Sequence, residues 1–283
     1  MKSKLGENTR LIERLIPDFG VGCRRPTPGN GYLEALCQEN VTVITDEIQK
    51  ISEDGIVLTT GDVLSVDVII CATGFDISFS PRFPLIGREG LSLSEHWQKT
   101  PEAYLSLAVE HFPNYFSKSL VSPVSNGPAW TPLLTYITPA FLGPNSPVGH
   151  GSVIPLVEHA AKYIINILKR FQTEQIRTIA PSGTAVRDFN EHTREFMKRT
   201  AWKTSCRSWF KNGTVDGPVV ALHPGSRLHW LHMLDEVRYE DYEITYCSRN
   251  RFAYLGNGFS VREAPGLDTT WYLDDPEYGY KAY

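Results

Sequence analysis

The sequence has no CxxC pair, no apolar run near the roughly 20 residues that span a bilayer, and no basic excess. Each absence removes a class of function. Without CxxC, a dithiol centre of the disulfide-reductase type has no residues to carry it. Lys and Arg number 28 against 32 Asp and Glu, a net charge of −4, which disfavours a dedicated nucleic-acid binder. The missing apolar run leaves no expected membrane span. The start, Met1 to Asn8, lacks the apolar stretch of a signal peptide, so secretion is disfavoured and a cytoplasmic location is expected. Phosphate- and nucleophile-binding signatures are missing too: no GxGxxG, Walker A, GxSxG or kinase motif occurs.

What is present suits a folded chain. With 41% hydrophobic and 11% aromatic residues, disorder is excluded, and 283 residues suffice for one large domain or two modest ones. The five cysteines, Cys23, Cys37, Cys71, Cys206 and Cys247, are odd in number and widely spaced, so reduced thiols are expected. His223, His229 and His232 lack metalloprotease spacing and a cysteine partner, so no metal is assigned.

The first third reads as alternating helix and strand. Glu7–Leu15 has helical spacing and stops before Pro17; Tyr32–Gln38 suits a short helix. Extended segments are expected at Val41–Thr45, Gly55–Thr60 and Val66–Ala72. The last is nearly all apolar, the pattern of a strand covered on both faces. An apolar stripe from Val153 to Leu168 predicts an amphipathic helix with Pro155 in its first turn. A charged helix is expected over Ala185–Arg199 and a short strand at Phe252–Leu255. Ser117–Ala140 has no periodicity, and a connection that long suggests a functional loop, an insertion or a retained intron.

Two features suit chemistry. Cys23-Arg24-Arg25-Pro26 places adjacent guanidiniums in a Gly/Pro-rich loop, fit for an anionic ligand or simply a solvated basic pair. Leu142–Gly151 is a small-residue loop before the amphipathic helix. It offers N–H groups and a positive dipole end to an electron-rich ligand, or serves as an ordinary turn.

Asp67–Asp76, containing Ala72-Thr73-Gly74, resembles the ATG linker of class B flavoprotein monooxygenases. In the same order come Cys23-Arg24-Arg25-Pro26, Phe112-Pro113-Asn114-Tyr115-Phe116, Gly143-Pro144-Asn145-Ser146-Pro147 and Cys206-Arg207-Ser208-Trp209-Phe210-Lys211-Asn212-Gly213. That ordered set is similar to Baeyer–Villiger monooxygenases, which insert oxygen beside a ketone using FAD, NADPH and O₂. Fungal members of the steroid and aflatoxin or sterigmatocystin type resemble it most.

The resemblance implies an α/β fold: part of a two-dinucleotide-binding, Rossmann-like flavoprotein without the N-terminal FAD-binding half. Residues 1–74 would be the C-terminal part of the NADPH-binding domain, ending in the ATG linker. Residues 75–283 would be the C-terminal part of the FAD-binding and substrate domain. It implies that Arg25 is the active-site cation beside the flavin and that Arg24 holds the NADPH 2′-phosphate. Trp209 would pack near the nicotinamide. Ala72, Thr73, Gly74, Asn145, Ser146, Ser152 and Val153 would touch cofactor, and Pro147, Val148, Gly149 and His150 would line the pocket of a small-molecule ketone. Neither GxGxxG motif of the family is present, and excising Ser117–Ala140 nearly restores the family's junction. An inert fragment, a docking partner of a complete relative and an N-hydroxylating flavoprotein monooxygenase are the alternatives.

Overall fold

The computed structural model describes residues 1–6, 9–24, 29–74, 76–116, 142–149 and 151–273. The long connection at 117–140, together with Arg25 and His150, lies outside the described residues.

The N-terminal part is built from short elements. Helices α1 (Lys2–Leu5), α2 (Thr9–Leu15) and α3 (Tyr32–Ala35) precede a three-stranded antiparallel meander of β1 (Ile48–Ser52), β2 (Gly55–Leu58) and β3 (Val63–Leu64). Leu5 is the buried anchor of α1. Its carbonyl lies 3.6 Å from Cys37 Sγ, and Lys4 Nζ meets Glu34 Oε1 at 3.0 Å, which closes α1 onto α3.

The sequence reading needs correction here. Val41–Thr45 forms no strand; the pairing begins at Ile48. Val66–Ala72 forms no strand either, because none of the described residues pairs with it. Val66, Val68, Ile69 and Ile70 are 45%, 75%, 40% and 87% exposed. A run apolar on both faces needs neighbours on both faces, and none of the described residues supplies them.

The larger part is centred on α5 (Ile154–Glu174) and α6 (Gly183–Met197), with α4 (Leu93–His96) before them and α7 (Arg227–Met233) after them. Pro155 sits in the first turn of α5, where its missing N–H has no intrahelical partner to lose. Ser182 caps α6 by accepting from the Ala185 N–H at 3.2 Å. Two strands escaped the sequence reading, β4 (Ile176–Pro181) and β5 (Tyr242–Tyr246), paired antiparallel. Their partners are some 65 positions apart; β4 does not alternate, whereas Tyr242–Tyr246 alternates apolar and polar residues, a signal that sequence reading could have used. Phe252–Leu255, expected as a strand, is a 3₁₀ turn over Ala253–Leu255.

The main core joins Leu156, Ala160, Tyr163 and Ile167 of α5 to Trp230, Tyr242, Leu105 and Leu142. Its polar groups are paired. Trp230 Nε1 donates to the Leu105 carbonyl at 3.1 Å, the Tyr163 and Tyr242 hydroxyls meet at 3.0 Å, and Tyr104 donates to the Asp241 carboxylate. Burial pushes all three phenols above their ordinary range. The content is mixed α/β, and the described sheets are both antiparallel. Among the described residues, no helix is long and apolar enough to cross a membrane.

Candidate functional site

The Leu142–Gly149 loop is anchored by buried hydrogen bonds. Gly143 N–H donates to the Ser106 carbonyl at 2.7 Å, and Ser106 Oγ donates to the Asn145 carbonyl at 2.6 Å. Asn145 takes a left-handed backbone (φ 62), a conformation asparagine tolerates better than most residues. Its N–H donates to the Val220 carbonyl at 2.8 Å, and its side-chain amide donates to Asn190 Oδ1 at 2.8 Å. Asn190 in turn donates to the Val186 carbonyl at 2.7 Å. Asn145, Ser146 and Pro147 are buried, and Val148 and Gly149 are half-buried.

A second loop is locked against the first. The Val220 and Ala221 N–H groups donate to the Phe210 carbonyl, at 2.8 and 3.2 Å, while Ser146 pairs with Ala221 and His223. The segment 219–223 therefore lies between Ser146 and the Trp209–Lys211 turn. Phe210, Val219, Ala221, Leu222 and Met197 form a small core against which Val148, Trp202 and Trp209 pack. Lys211 is buried, its Nζ donating to the carbonyls of Thr204 (2.5 Å) and Val215 (2.8 Å).

The third piece arrives covalently. Cys23 and Cys206 are joined, with Cα atoms 6.0 Å apart. This corrects the expectation of reduced thiols throughout; only Cys37, Cys71 and Cys247 are free, all exposed. A contact across 183 positions leaves no local trace in a sequence. The bond brings exposed Arg24 beside the Trp209 loop.

The remaining candidates lie apart. Ala72, Thr73 and Gly74 are exposed, although Ile77 just beyond them packs 3.6 Å from the position a Gly213 side chain would take. Ser152 and Val153 are exposed at the start of α5, whose first turn no side chain caps. An open depression of about 630 Å³, lined by Arg88, Arg177, Glu243 and Tyr246, contains none of the candidates.

Sequence reading missed Asn190 and the Cys23 pairing; it named Lys211 within a motif and His223 within a rejected metal cluster, without the buried roles they take. Asn190 had a signal, an amide on the apolar side of an amphipathic helix. His223 is buried, with Nε2 3.1 Å from His229 Nδ1 and no partner at its own Nδ1 among the described residues. Burial, then the nearby His229 and His192, hold it down at about 3.

The chain is similar to known proteins in sequence and in fold. No protein-family model matches the chain. The FAD-binding monooxygenase stcW of Emericella nidulans is 40% identical over 260 residues, covering 92% of this chain and 39% of that protein. The FAD-binding monooxygenase moxY of Dothistroma septosporum is 39% identical over 260 residues, covering 92% and 38%. Over nearly all of its length the chain is similar to FAD-binding monooxygenases. It spans about two fifths of the length of these relatives. Among solved structures, a closed cyclohexanone monooxygenase matches with a TM-score of 0.69 at 23% identity, over 86% of this chain and 43% of that one. A steroid monooxygenase bound to NADP matches with a TM-score of 0.64 at 24% identity, over 86% and 43%. The fold is therefore that of part of these flavin monooxygenases.

The described residues fit the ring ends of such cofactors better than their phosphates. An uncapped helix start and a small-residue loop suit a planar, electron-rich edge. No glycine-rich strand-to-helix turn, the usual pyrophosphate cradle, occurs among the described residues.

Proposed function

We propose that this chain forms the ketone-side portion of a Baeyer–Villiger-type monooxygenase that uses FAD, NADPH and O₂. On this reading residues 1–74 close the NADPH-binding domain and residues 75–283 carry the C-terminal part of the FAD and substrate domain, a partial Rossmann-like flavoprotein. The observation that carries the proposal is the meeting of Arg24, Trp209 and Asn145–Gly149 around one backbone frame, 206–223. Bound flavin would supply the oxygen-activating chemistry.

The residues of this chain then bind and orient. Arg24 offers a fixed cation to the NADPH 2′-phosphate. Arg25 would be the cation that offsets the negative charge developing during oxygen insertion. Trp209 presents a half-buried ring to the nicotinamide. Pro147, Val148, Gly149 and His150 line the ketone pocket, and Asn145 and Asn190 hold that lining in place. Asn145, Ser146, Ser152, Val153 and Ala72–Gly74 border the flavin. A bulky cyclic ketone of fungal secondary metabolism is the proposed substrate class, in a cytoplasmic setting.

The experiment is flavin retention. The 283-residue chain alone should purify colourless. Joined to the region of the stcW monooxygenase that it does not cover, it should retain FAD and oxidise NADPH faster when a cyclic ketone is added. A joined protein that holds FAD yet never couples NADPH oxidation to ketone conversion would defeat the proposal.

A second reading is that the chain docks onto a complete relative. It is favoured by the bare, doubly apolar stretch at Val66–Ile70, which suits insertion into a sheet supplied by another polypeptide.

A further inference from the structure

Cys23 and Cys206 stand apart from the other three cysteines. Their sulfurs are bonded and their side chains buried, at 2% and 8% exposure, whereas Cys37, Cys71 and Cys247 are free and exposed. An arginine follows each of the pair, Arg24 and Arg207, and both are exposed.

The surroundings show what the bond fastens. Between Leu15 and Gly29 the described chain has no helix or strand. Within residues 17–24 the Cys23 N–H to Gly20 carbonyl contact, at 3.3 Å, is the one backbone hydrogen bond donated among the described residues. Segments with so few backbone bonds open at little cost. Packing adds two tight approaches. A Cβ on Gly22 would fall 2.6 Å from the Ala201 carbonyl oxygen, and one on Gly20 would fall 2.8 Å from Thr204 Cγ2. The glycines thus permit backbone contact, and the disulfide is the one covalent tie.

We infer that Cys23 and Cys206 form a thiol–disulfide redox site, oxidised by small disulfides of the glutathione class, that locks the Arg24 segment onto the Trp209-bearing loop and frees it on reduction. One cysteine thiolate attacks a sulfur of oxidised glutathione and releases one glutathione. The second cysteine displaces the other, leaving the Cys23 Sγ–Cys206 Sγ bond. Two electrons pass from the cysteine sulfurs to the small disulfide, and both protons leave with the two released thiols. In reducing compartments, disulfides that persist are mostly catalytic or redox-sensing. Nothing in this step uses flavin, so it stands or falls separately from the monooxygenase proposal.

The test equilibrates the full 283-residue chain across a series of reduced-to-oxidised glutathione ratios. Each sample is quenched in acid, alkylated and digested, and the Cys23–Cys206 peptide pair is quantified by mass spectrometry. A parallel native digest with trypsin follows cleavage after Arg24. The cross-linked fraction should rise from near zero to near complete across the series. Cleavage after Arg24 should be about 10-fold faster in the reduced protein, as expected for a segment that opens locally. Cys23→Ser should be cut at the reduced rate in every buffer. Five alkylated thiols at every ratio, or a cross-link that survives the most reducing buffer, would overturn the inference. So would equal cleavage rates for oxidised and reduced wild-type chain, a comparison that needs no variant to fold.

Discussion

The side-chain amide of Asn145 donates to Asn190 Oδ1 at 2.8 Å, with both residues buried, and so ties a loop to the inner face of helix α6. This bond sits beneath the stretch that should line the ketone pocket. On the proposed function, it would make the shape of that pocket a property of the core rather than of the surface.

Breaking that bond should cost stability and loosen the loop together. Asn190→Ala leaves the Asn145 amide buried without its acceptor, at about 1–3 kcal/mol. Asn145→Ala should cost a similar amount, and the double variant less than the sum, because the two act through one bond. Urea unfolding of the four proteins checks this; strict additivity would show that the pair is not coupled.

Lys211 should behave as a structural cation. Its Nζ satisfies the Thr204 and Val215 carbonyls while 2% exposed. Lys211→Met keeps the length of the side chain but strands both acceptors, at about 1–3 kcal/mol for each one left unpaired. Hydrogen exchange across 204–215 should speed up ahead of the rest of the chain. Unchanged exchange there would contradict the role.

His223 gives a pH dependence with a definite sign. Burial depresses its folded-state value to about 3, against an ordinary 6.5. Protonation therefore favours the unfolded chain. Its contribution is intact above pH 6.5 and is lost as pH falls from there toward 3. Across that window the unfolding free energy should fall by up to about 1.4 kcal/mol per pH unit through this group. His223→Gln should show a shallower acid slope under chemical denaturation. Identical slopes would place the imidazole in water.

The Val66–Ile70 stretch should tolerate charge in the isolated chain. Val68→Lys and Ile70→Lys alter side chains that are 75% and 87% exposed, so each should move stability by no more than about 0.5 kcal/mol. In a protein joined to the uncovered region of a relative, the same changes should lower the yield of folded, flavin-bearing material. Equal losses in both settings would mean that the stretch is already packed.

Much of the helical architecture was legible in sequence. The apolar stripe from Val153 to Leu168 is local information, and it marks α5 even though the helix runs on to Glu174. The motif loops were legible as pieces, because Gly143–Pro147 and Cys206–Gly213 are each contiguous in sequence. What joins them was not legible. The Cys23–Cys206 bond, the bonds from 219–223 to both loops and the β4–β5 pairing all span distances at which a sequence has no periodicity to read. Val66–Ala72 failed for the opposite reason. Its pattern correctly describes a strand needing cover on both faces, and the cover is not among the described residues of this chain.

The central claim is best tested by oxygen incorporation. The chain, joined to the region of stcW that it does not cover and loaded with FAD, is given NADPH, ¹⁸O₂ and a bulky cyclic ketone. One labelled atom should appear in an ester or lactone product. Arg25→Ala should abolish that product while leaving flavin reduction by NADPH largely intact. Unlabelled ketone recovered in full from the flavin-loaded protein with Arg25 in place, or labelled product from the Arg25→Ala variant at an undiminished rate, would contradict the account.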